Sequence, residues 1–434
     1  MLRVSKSHIS VVFLMLILVA CGRKSALEDA TGDVPVQIGI QTSPTSYSLQ
    51  QVNLSGISNL KEVSGSYARF FYAPGSEDNH LTGNAPQANF IRTNSFFVPS
   101  DMVSMQMATI YYHMQNLAAF DKVIGAEGIN QWPRSVGLET QIIENNSTRR
   151  NNAFYNGQTD SMMFVPFTGN ELPISMNAGI IAHEHFHSLF YKIVIRAAIQ
   201  NKKILVNAAS IHSDETKPAE GLQISDPTGL SEKENAQLFN ETYLRGINEG
   251  MADFWGWIYT SDASFINWSL PEFEDSRTLN LEDYAVGYYE TDANIKNKIQ
   301  VLVKNTKDPR SGLANYAYTV GTPYARFLKT FTTMQVENKK IALGEAKKLT
   351  AQMIFKYITS MGAQFSAMKE TEMLPTGGLF NFIAQEMKMT KTALALNDKD
   401  CEFLAKYINK ELTDDKKIKV CEVEAKKLAE KASR

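Results

Sequence analysis

The feature that most constrains this chain is the pentapeptide His183-Glu184-His185-Phe186-His187. Its first and last histidines are four positions apart, and on a helix such residues lie one above the other on the same face. His183 and His187 can therefore present two imidazole nitrogens to one divalent ion. Glu184 is offset by one position and can reach a water beside that ion. The motif thus predicts a metal site that activates water, on a helix spanning about residues 175–200.

A catalytic zinc site needs a third protein ligand, and the segment Ile247–Gly256 offers one. Glu249 and Asp253 are again four positions apart, so they share a helical face. Glu249 can bind zinc, whereas Asp253 can accept the second N–H of a ligating imidazole and fix its orientation. A histidine six residues after His187 is another possible third ligand, but Ile193 occupies that position.

These motifs together resemble the thermolysin family of gluzincin metallopeptidases. The resemblance has three parts: His-Glu-x-x-His at 183–187, Asn248-Glu249-x-x-x-Asp253-x-x-Gly256, and Asn151-Asn152-Ala153-Phe154-Tyr155-Asn156-Gly157. It implies one zinc ion per chain and Glu184 as the general base. The implied ligands and their supports are His183, His187 and Glu249, with Asn248 supporting His187 and Asp253 supporting His183.

The same resemblance implies how a peptide substrate is held. The segment 151–157 looks like the family's edge strand along the cleft, where an extended peptide can add as a further strand. Asn152 and the backbone of Ala153 would then hold the substrate chain. Arg277 matches the family's arginine for a substrate carbonyl; an exposed, salt-bridging arginine is the alternative.

Two departures from the family pattern concern the oxyanion donor and calcium. The family uses a histidine in the C-terminal half to face the developing negative charge, but no histidine follows His212. Tyr316 or Tyr318 could donate a phenol O–H instead, or both could pack in the core. Gly179 and Thr260 stand where the family has calcium-binding acids. We therefore expect no calcium at the usual double site.

The N-terminus predicts export and lipid anchoring. Arg3 and Lys6 precede the apolar run Val11–Ala20, which is too short to span a bilayer. The run leads into Cys21-Gly22, as in a bacterial lipobox, so we expect Cys21 to carry lipid and to hold the protein at the cell envelope. An ordinary secretory signal with a chance cysteine is the alternative.

Organisation along the chain predicts an α+β protein with a thermolysin-like two-lobed architecture. Residues 1–20 would be the signal peptide, 21–64 a polar tether, and 65–200 a β-rich N-terminal lobe that includes the central helix. Residues 201–235 would form an inserted loop, 236–411 a helical C-terminal lobe and 412–434 a charged tail. Cys401 and Cys421 either pair or remain free thiols.

The function class that fits these features is a zinc metallopeptidase of the cell envelope acting on peptides or proteins. A catalytically weak relative, acting as a binding or scaffold lipoprotein, is the alternative. Nucleic acid is disfavoured as a partner because the net charge is −2 and no basic stripe is visible. The natural substrate and the oligomeric state stay open.

Overall fold

The computed structural model describes residues 30–144, 147–205, 230–280, 287–305, 309–391, 393–408 and 410. Strands dominate the first part and helices the second, which confirms the α+β class. The strands are β1 (Gly32–Ser43), β2 (Ser46–Asn59), β3 (Ser64–Gly65), β4 (Ala68–Tyr72), β5 (Gly75–Glu77), β6 (His80–Thr82), β7 (Phe90–Arg92), β8 (Phe97–Pro99), β9 (Arg134–Leu138), β10 (Ile143–Glu144), β11 (Ser147–Thr148), β12 (Ala153–Asn156) and β13 (Ser161–Phe164). The helices are α1 (Met102–Ile124), α2 (Ala178–Phe190), α3 (Arg196–Gln200), α4 (Glu232–Thr260), α5 (Glu274–Arg277), α6 (Asp292–Asn305), α7 (Pro309–Lys339), α8 (Leu343–Gln364), α9 (Gly378–Met389) and α10 (Asp398–Ile408).

The first sheet corrects the predicted tether. Its strand order is β3-β2-β1-β8-β7, and β1 and β2 form a long antiparallel hairpin. Val36, Ile38 and Leu54 on this hairpin are fully buried. The prediction of a tether over residues 21–64 is therefore wrong from Gly32 onward, because every second side chain of these strands enters the core.

The second sheet provides the strand that borders the candidate site. Its order is β12-β13-β9-β4, with β4, β9 and β13 parallel and β12 antiparallel to β13. Within the described ranges, β12 pairs on one side only, so it is an edge strand. The predicted strand near Phe154 is confirmed.

The predicted central helix over 175–200 is confirmed, with one irregularity. A short 3-10 turn at Ile174–Met176 precedes α2, and Tyr191–Ile195 form a π-helical turn between α2 and α3. Every residue of α2 is buried. Asn177 starts α2: its side chain accepts hydrogen bonds from the N–H groups of Gly179 (3.0 Å) and Ile180 (3.2 Å).

The second motif lies in α4, which begins four residues before the predicted position. Ser231 and Glu234 form a capping box that explains this earlier start. α4 packs against both α2 and α7. Gly250 of α4 meets the backbone of Gly321 of α7 so closely that a Cβ on either residue would overlap the other helix. This crossing fixes how α4 is rotated toward α2.

Several predictions fall on residues outside the described ranges. They are the signal peptide, Cys21, most of the inserted loop (206–229, including His212), Cys421 and the charged tail. Cys401 of α10 is disulfide-bonded, but its partner is not among the described residues, so pairing with Cys421 stays a prediction. None of the helices in the described ranges is long and apolar enough to cross a membrane.

Candidate metal centre

The two histidines of the motif meet as their spacing predicts. The Nε2 atoms of His183 and His187 lie 2.9 Å apart, and both side chains are buried. Glu184 is buried beside them, and the three side chains form a group that could hold a metal ion.

Glu249 approaches the same point from α4. Its Oε2 lies 3.5 Å from Nε2 of His183, and its Oε1 lies 3.7 Å from Nε2 of His187. Ligand atoms about 2.0–2.1 Å from a tetrahedral zinc ion are about 3.3 Å apart. The spacing of these three groups therefore fits one tetrahedral ion with a fourth position left for water or substrate.

Two further residues hold the imidazole rings. Oδ1 of Asp253 lies 3.0 Å from Nδ1 of His183, on the side of the ring away from the ligand nitrogen. The Asn248 side chain lies near His187 and favours the protonated form of its ring, although burial outweighs it. Both contacts agree with the supporting roles implied by the resemblance, because a partner on one ring nitrogen leaves the other to face the ion.

Arg277 completes the support of Asp253. Its Nη2 and Nε donate to Oδ1 (2.6 Å) and Oδ2 (3.2 Å) of that carboxylate, and the guanidinium is buried. The alternative of an exposed arginine is therefore wrong. Burial alone would raise the pKa of Asp253, but Arg277 and His183 outweigh it and hold this pKa below its usual value.

The charges of the site favour a cation. Burial would raise the pKa of Glu249, but the two histidines and Arg277 lower it instead. Burial lowers the pKa of His187 to about 4. For His183, burial is outweighed by Asp253 and Glu249, which raise its pKa to about 9. The neighbouring groups thus keep the Glu249 carboxylate ionised, which favours a bound cation.

These side chains line a cleft with about 850 Å³ of empty space. Asn152 and Ala153 line it at the start of β12, as predicted. Arg245, one turn before Glu249, also lines the cleft. This residue was not predicted from the sequence, although it is four positions before Glu249 and so lies on the same helical face. An apolar wall was missed as well, since its members come from separate segments: Ile174, Ile180, Phe265, Ile266 and Leu270.

The structure separates the two candidate tyrosines. Tyr318 lines the cleft, and its ring lies 4.4 Å from the guanidinium carbon of Arg277. Tyr316 is not among the described residues that line the cleft. Its ring lies 5.3 Å from Nζ of Lys298, and burial together with Glu290 raises the pKa of its phenol. Of the two tyrosines, Tyr318 is thus the one that lines the cleft.

Chain comparisons add no assignment. Neither protein-family models nor curated proteins give a match to this chain. What the site can do is therefore argued from its geometry.

Gly179 and Thr260, which stand where the family has calcium-binding acids, and His185 all contact other parts of the fold. The ring of Phe265 lies between Gly179 and Gly256, so a Cβ at either glycine would overlap it. Thr260 donates its hydroxyl to the carbonyl of Gly256 at 2.7 Å. Nε2 of His185 lies 2.9 Å from Oδ1 of Asp121, on the face of α2 away from the ligands. His185 is thus a buried residue that pairs with Asp121.

Proposed function

We propose that this chain is a zinc-dependent peptidase of the thermolysin-like gluzincin type, with the ion held by His183, His187 and Glu249. The observation that carries the proposal is the approach of the Glu249 carboxylate to both imidazole nitrogens, at 3.5 and 3.7 Å, from a separate helix. Two imidazole nitrogens and one carboxylate favour zinc, whereas calcium and magnesium prefer oxygen ligands.

Zinc, when bound, supplies a Lewis acid that acidifies water and polarises a carbonyl. The Glu184 carboxylate accepts the proton of the attacking water and passes it to the leaving amine. Asp253 and Asn248 keep the imidazole rings in place. The phenol of Tyr318 donates a hydrogen bond to the developing oxyanion.

The substrate in this proposal is an extended peptide that adds to the free edge of β12. Asn152 and the backbone of Ala153 bind the peptide chain. The apolar wall of the cleft accommodates an apolar side chain next to the scissile bond. Arg277 binds a peptide carbonyl while it stays paired with Asp253.

The test compares zinc content and peptide cleavage across matched variants of the full chain. We expect Glu184→Gln to retain zinc and to lose about 100-fold or more in kcat. Glu232→Gln, at an exposed position in the first turn of α4, should leave both unchanged. Equal cleavage by wild type and Glu184→Gln would refute the mechanism. Zinc binding without turnover of any peptide in a broad library would favour the binding or scaffold lipoprotein.

The two tyrosines give a second matched pair. Tyr318→Phe should lower kcat by about 100-fold with little change in KM, because the hydrogen bond forms only as the oxyanion develops. Tyr316→Phe, on the same helix but outside the cleft, should keep the wild-type rate.

We also propose that the chain is exported and anchored to the cell envelope through lipid on Cys21. The support is the charged segment, the short apolar run and the cysteine in sequence. Labelling of the cells with a palmitate analogue should mark the wild type and Cys421→Ser but not Cys21→Ser. Labelling of Cys21→Ser would contradict the anchor.

A further inference from the structure

A second cavity, open to solvent, lies where the turn after β12 meets the π-helical segment and β9. Its walls include Gln158, Thr159 and Asp160 from the turn, with Lys192 and Arg196 from the helical side. None of the described residues that line the metal cleft also lines this cavity. The two sites are therefore separate.

The described residues that line this cavity carry an excess of positive charge. Four of them are cations, namely Arg69, Arg134, Lys192 and Arg196, and Asp160 is the one carboxylate. Three positive charges are thus unbalanced in the lining, which is unusual for a concave and partly buried surface.

Arg134 is the buried centre of this charge, with 1% of its side chain exposed. Its Nη1 lies 3.1 Å from Oδ1 of Asn130 and 3.0 Å from Oδ1 of Asp160. Its Nε and Nη2 are buried and have no hydrogen-bond partner among the described residues. Both atoms have almost no accessible surface, and the guanidinium carbon lies 5.7 Å from the centre of the Tyr155 ring. The charge of Arg134 therefore acts on the cavity through space rather than through these two donors.

Asp160 cannot supply the missing acceptors. Its Oδ1 accepts from Arg134 and from the Tyr155 hydroxyl (2.8 Å), and its Oδ2 accepts from Nζ of Lys192 (2.8 Å). Burial, and then the charge of Arg134, lower the pKa of Lys192 to about 8. The carboxylate is thus fully used by two of the cations and leaves Arg69 and Arg196 uncompensated.

The two remaining arginines stand at the exposed rim. Nε of Arg69 donates to the Ser135 hydroxyl at 3.0 Å. The guanidinium carbon of Arg196 lies 5.5 Å from the centre of the Tyr191 ring. These contacts orient both guanidinium groups, and the planar fork of N–H donors in each matches the oxygens of a phosphate or carboxylate.

We propose that this cavity binds a small dianion through its phosphate or carboxylate oxygens. Arg69 and Arg196 donate to the anion at the rim, and the buried charge of Arg134 attracts it from below. Binding offsets the excess positive charge of the lining. This site does not depend on the proposed peptidase activity.

Calorimetric titration of the full chain with inorganic phosphate, and separately with succinate, tests the proposal. We expect saturable binding of at least one of these anions. The titration is done at 50 mM salt and not at high salt, because salt screens the contact (Debye length about 10 Å at 0.1 M). Binding of phosphate alone identifies a phosphate site, and binding of succinate alone a dicarboxylate site. Arg69→Gln/Arg196→Gln should weaken binding by about tenfold or more, since it removes both guanidinium groups that can donate charged hydrogen bonds to the anion.

Arg92→Gln is the matched control. Arg92 is exposed, lies over Phe97 and does not line the cavity, so its loss should leave the affinity unchanged. Glu184→Gln should also bind the anion with wild-type affinity, which separates this site from the metal centre. The proposal is wrong if neither anion shows saturable binding, or if the double variant binds as tightly as Arg92→Gln.

Discussion

Outside the metal cleft, the side chain of Asn130 is a polar position where we expect a single substitution to be strongly destabilising. Asn130 is 3% exposed, and its Oδ1 accepts three hydrogen bonds. The donors are the Ser188 hydroxyl (3.0 Å), Nζ of Lys192 (3.0 Å) and Nη1 of Arg134 (3.1 Å). One amide oxygen therefore joins the loop before β9 to the back of α2, the helix that carries His183 and His187.

The loss of stability expected for Asn130→Ala depends on which hydrogen-bond acceptors the three donors still have without Asn130. The Ser188 hydroxyl still donates to the carbonyl of His185 (2.7 Å), and the two cations still contact Asp160. The substitution thus weakens the pairing of two buried cations without leaving either alone. A hydrogen bond to a charged group contributes about 1.5–3 kcal/mol, and two such bonds are lost while both cations keep Asp160, so we expect the free energy of unfolding to fall by about 2–4 kcal/mol.

Urea unfolding, followed by circular dichroism and tryptophan fluorescence, measures this loss. Asn381→Ala is the control, because Asn381 is half-buried and makes one long bond to the carbonyl of Gly377 (3.3 Å). That control should lose less than about 1 kcal/mol. If Asn130→Ala lost no more than Asn381→Ala, the three bonds to Asn130 would not stabilise the fold as argued.

Three further predictions concern packing, pH and zinc affinity. Gly179→Ala should destabilise the fold by about 1–3 kcal/mol because the added methyl overlaps the Phe265 ring. In the Gly179→Ala background, Phe265→Leu should recover part of that loss. If the stability changes of the two substitutions were strictly additive in a double-mutant cycle, the contact would be contradicted. Burial lowers the pKa of His113 to about 3, so between pH 6.5 and 3 the unfolded chain binds a proton that the folded chain does not. Stability should therefore fall as the pH is lowered through this window, and unfolding of His113→Gln at stepped pH should show a shallower fall. Asp253→Asn should weaken zinc binding about 10–100-fold, because an amide orients the His183 ring less strongly; an unchanged affinity in competition with a chelator would refute that role.

The core of the candidate site could be predicted because it depends on short-range helical geometry. The spacing of four positions places His183 above His187 on α2 and Glu249 above Asp253 on α4. Each of these two helix faces carries buried polar groups. Those groups find hydrogen-bond and ion-pair partners most directly when the two faces pack against each other. The distances between them bear this out.

The hairpin of β1 and β2 was missed because composition was given more weight than alternation. Residues 32–59 contain many serines and glutamines, which suggested a tether. Yet Val34, Val36 and Ile38 alternate, and these are the side chains that the sheet buries. An antiparallel sheet with one solvated face needs only every second residue to be apolar, so a polar average is compatible with a strand.

The choice between Tyr316 and Tyr318 could not be made from sequence for a different reason. Residues two positions apart on a helix point to nearly opposite sides, so one of the two had to turn away from the cleft. Which one does so depends on the rotation of α7, and the close approach of Gly321 to Gly250 fixes that rotation. This contact joins residues from two distant segments of the sequence, so no local sequence pattern predicts it.

Arg277 shows how support of the metal site and substrate binding depend on the same group. The sequence suggested a substrate-binding arginine, but its bidentate pair with Asp253 is what keeps a nearly fully buried carboxylate ionised. That ionised carboxylate in turn raises the pKa of His183 and orients its ring. Loss of Arg277 would leave the buried Asp253 carboxylate with His183 as its remaining charged partner, at a cost of up to about 3–5 kcal/mol. The guanidinium therefore stabilises the proposed metal centre before any substrate would arrive, and a substrate carbonyl would share donors that Asp253 already holds in place.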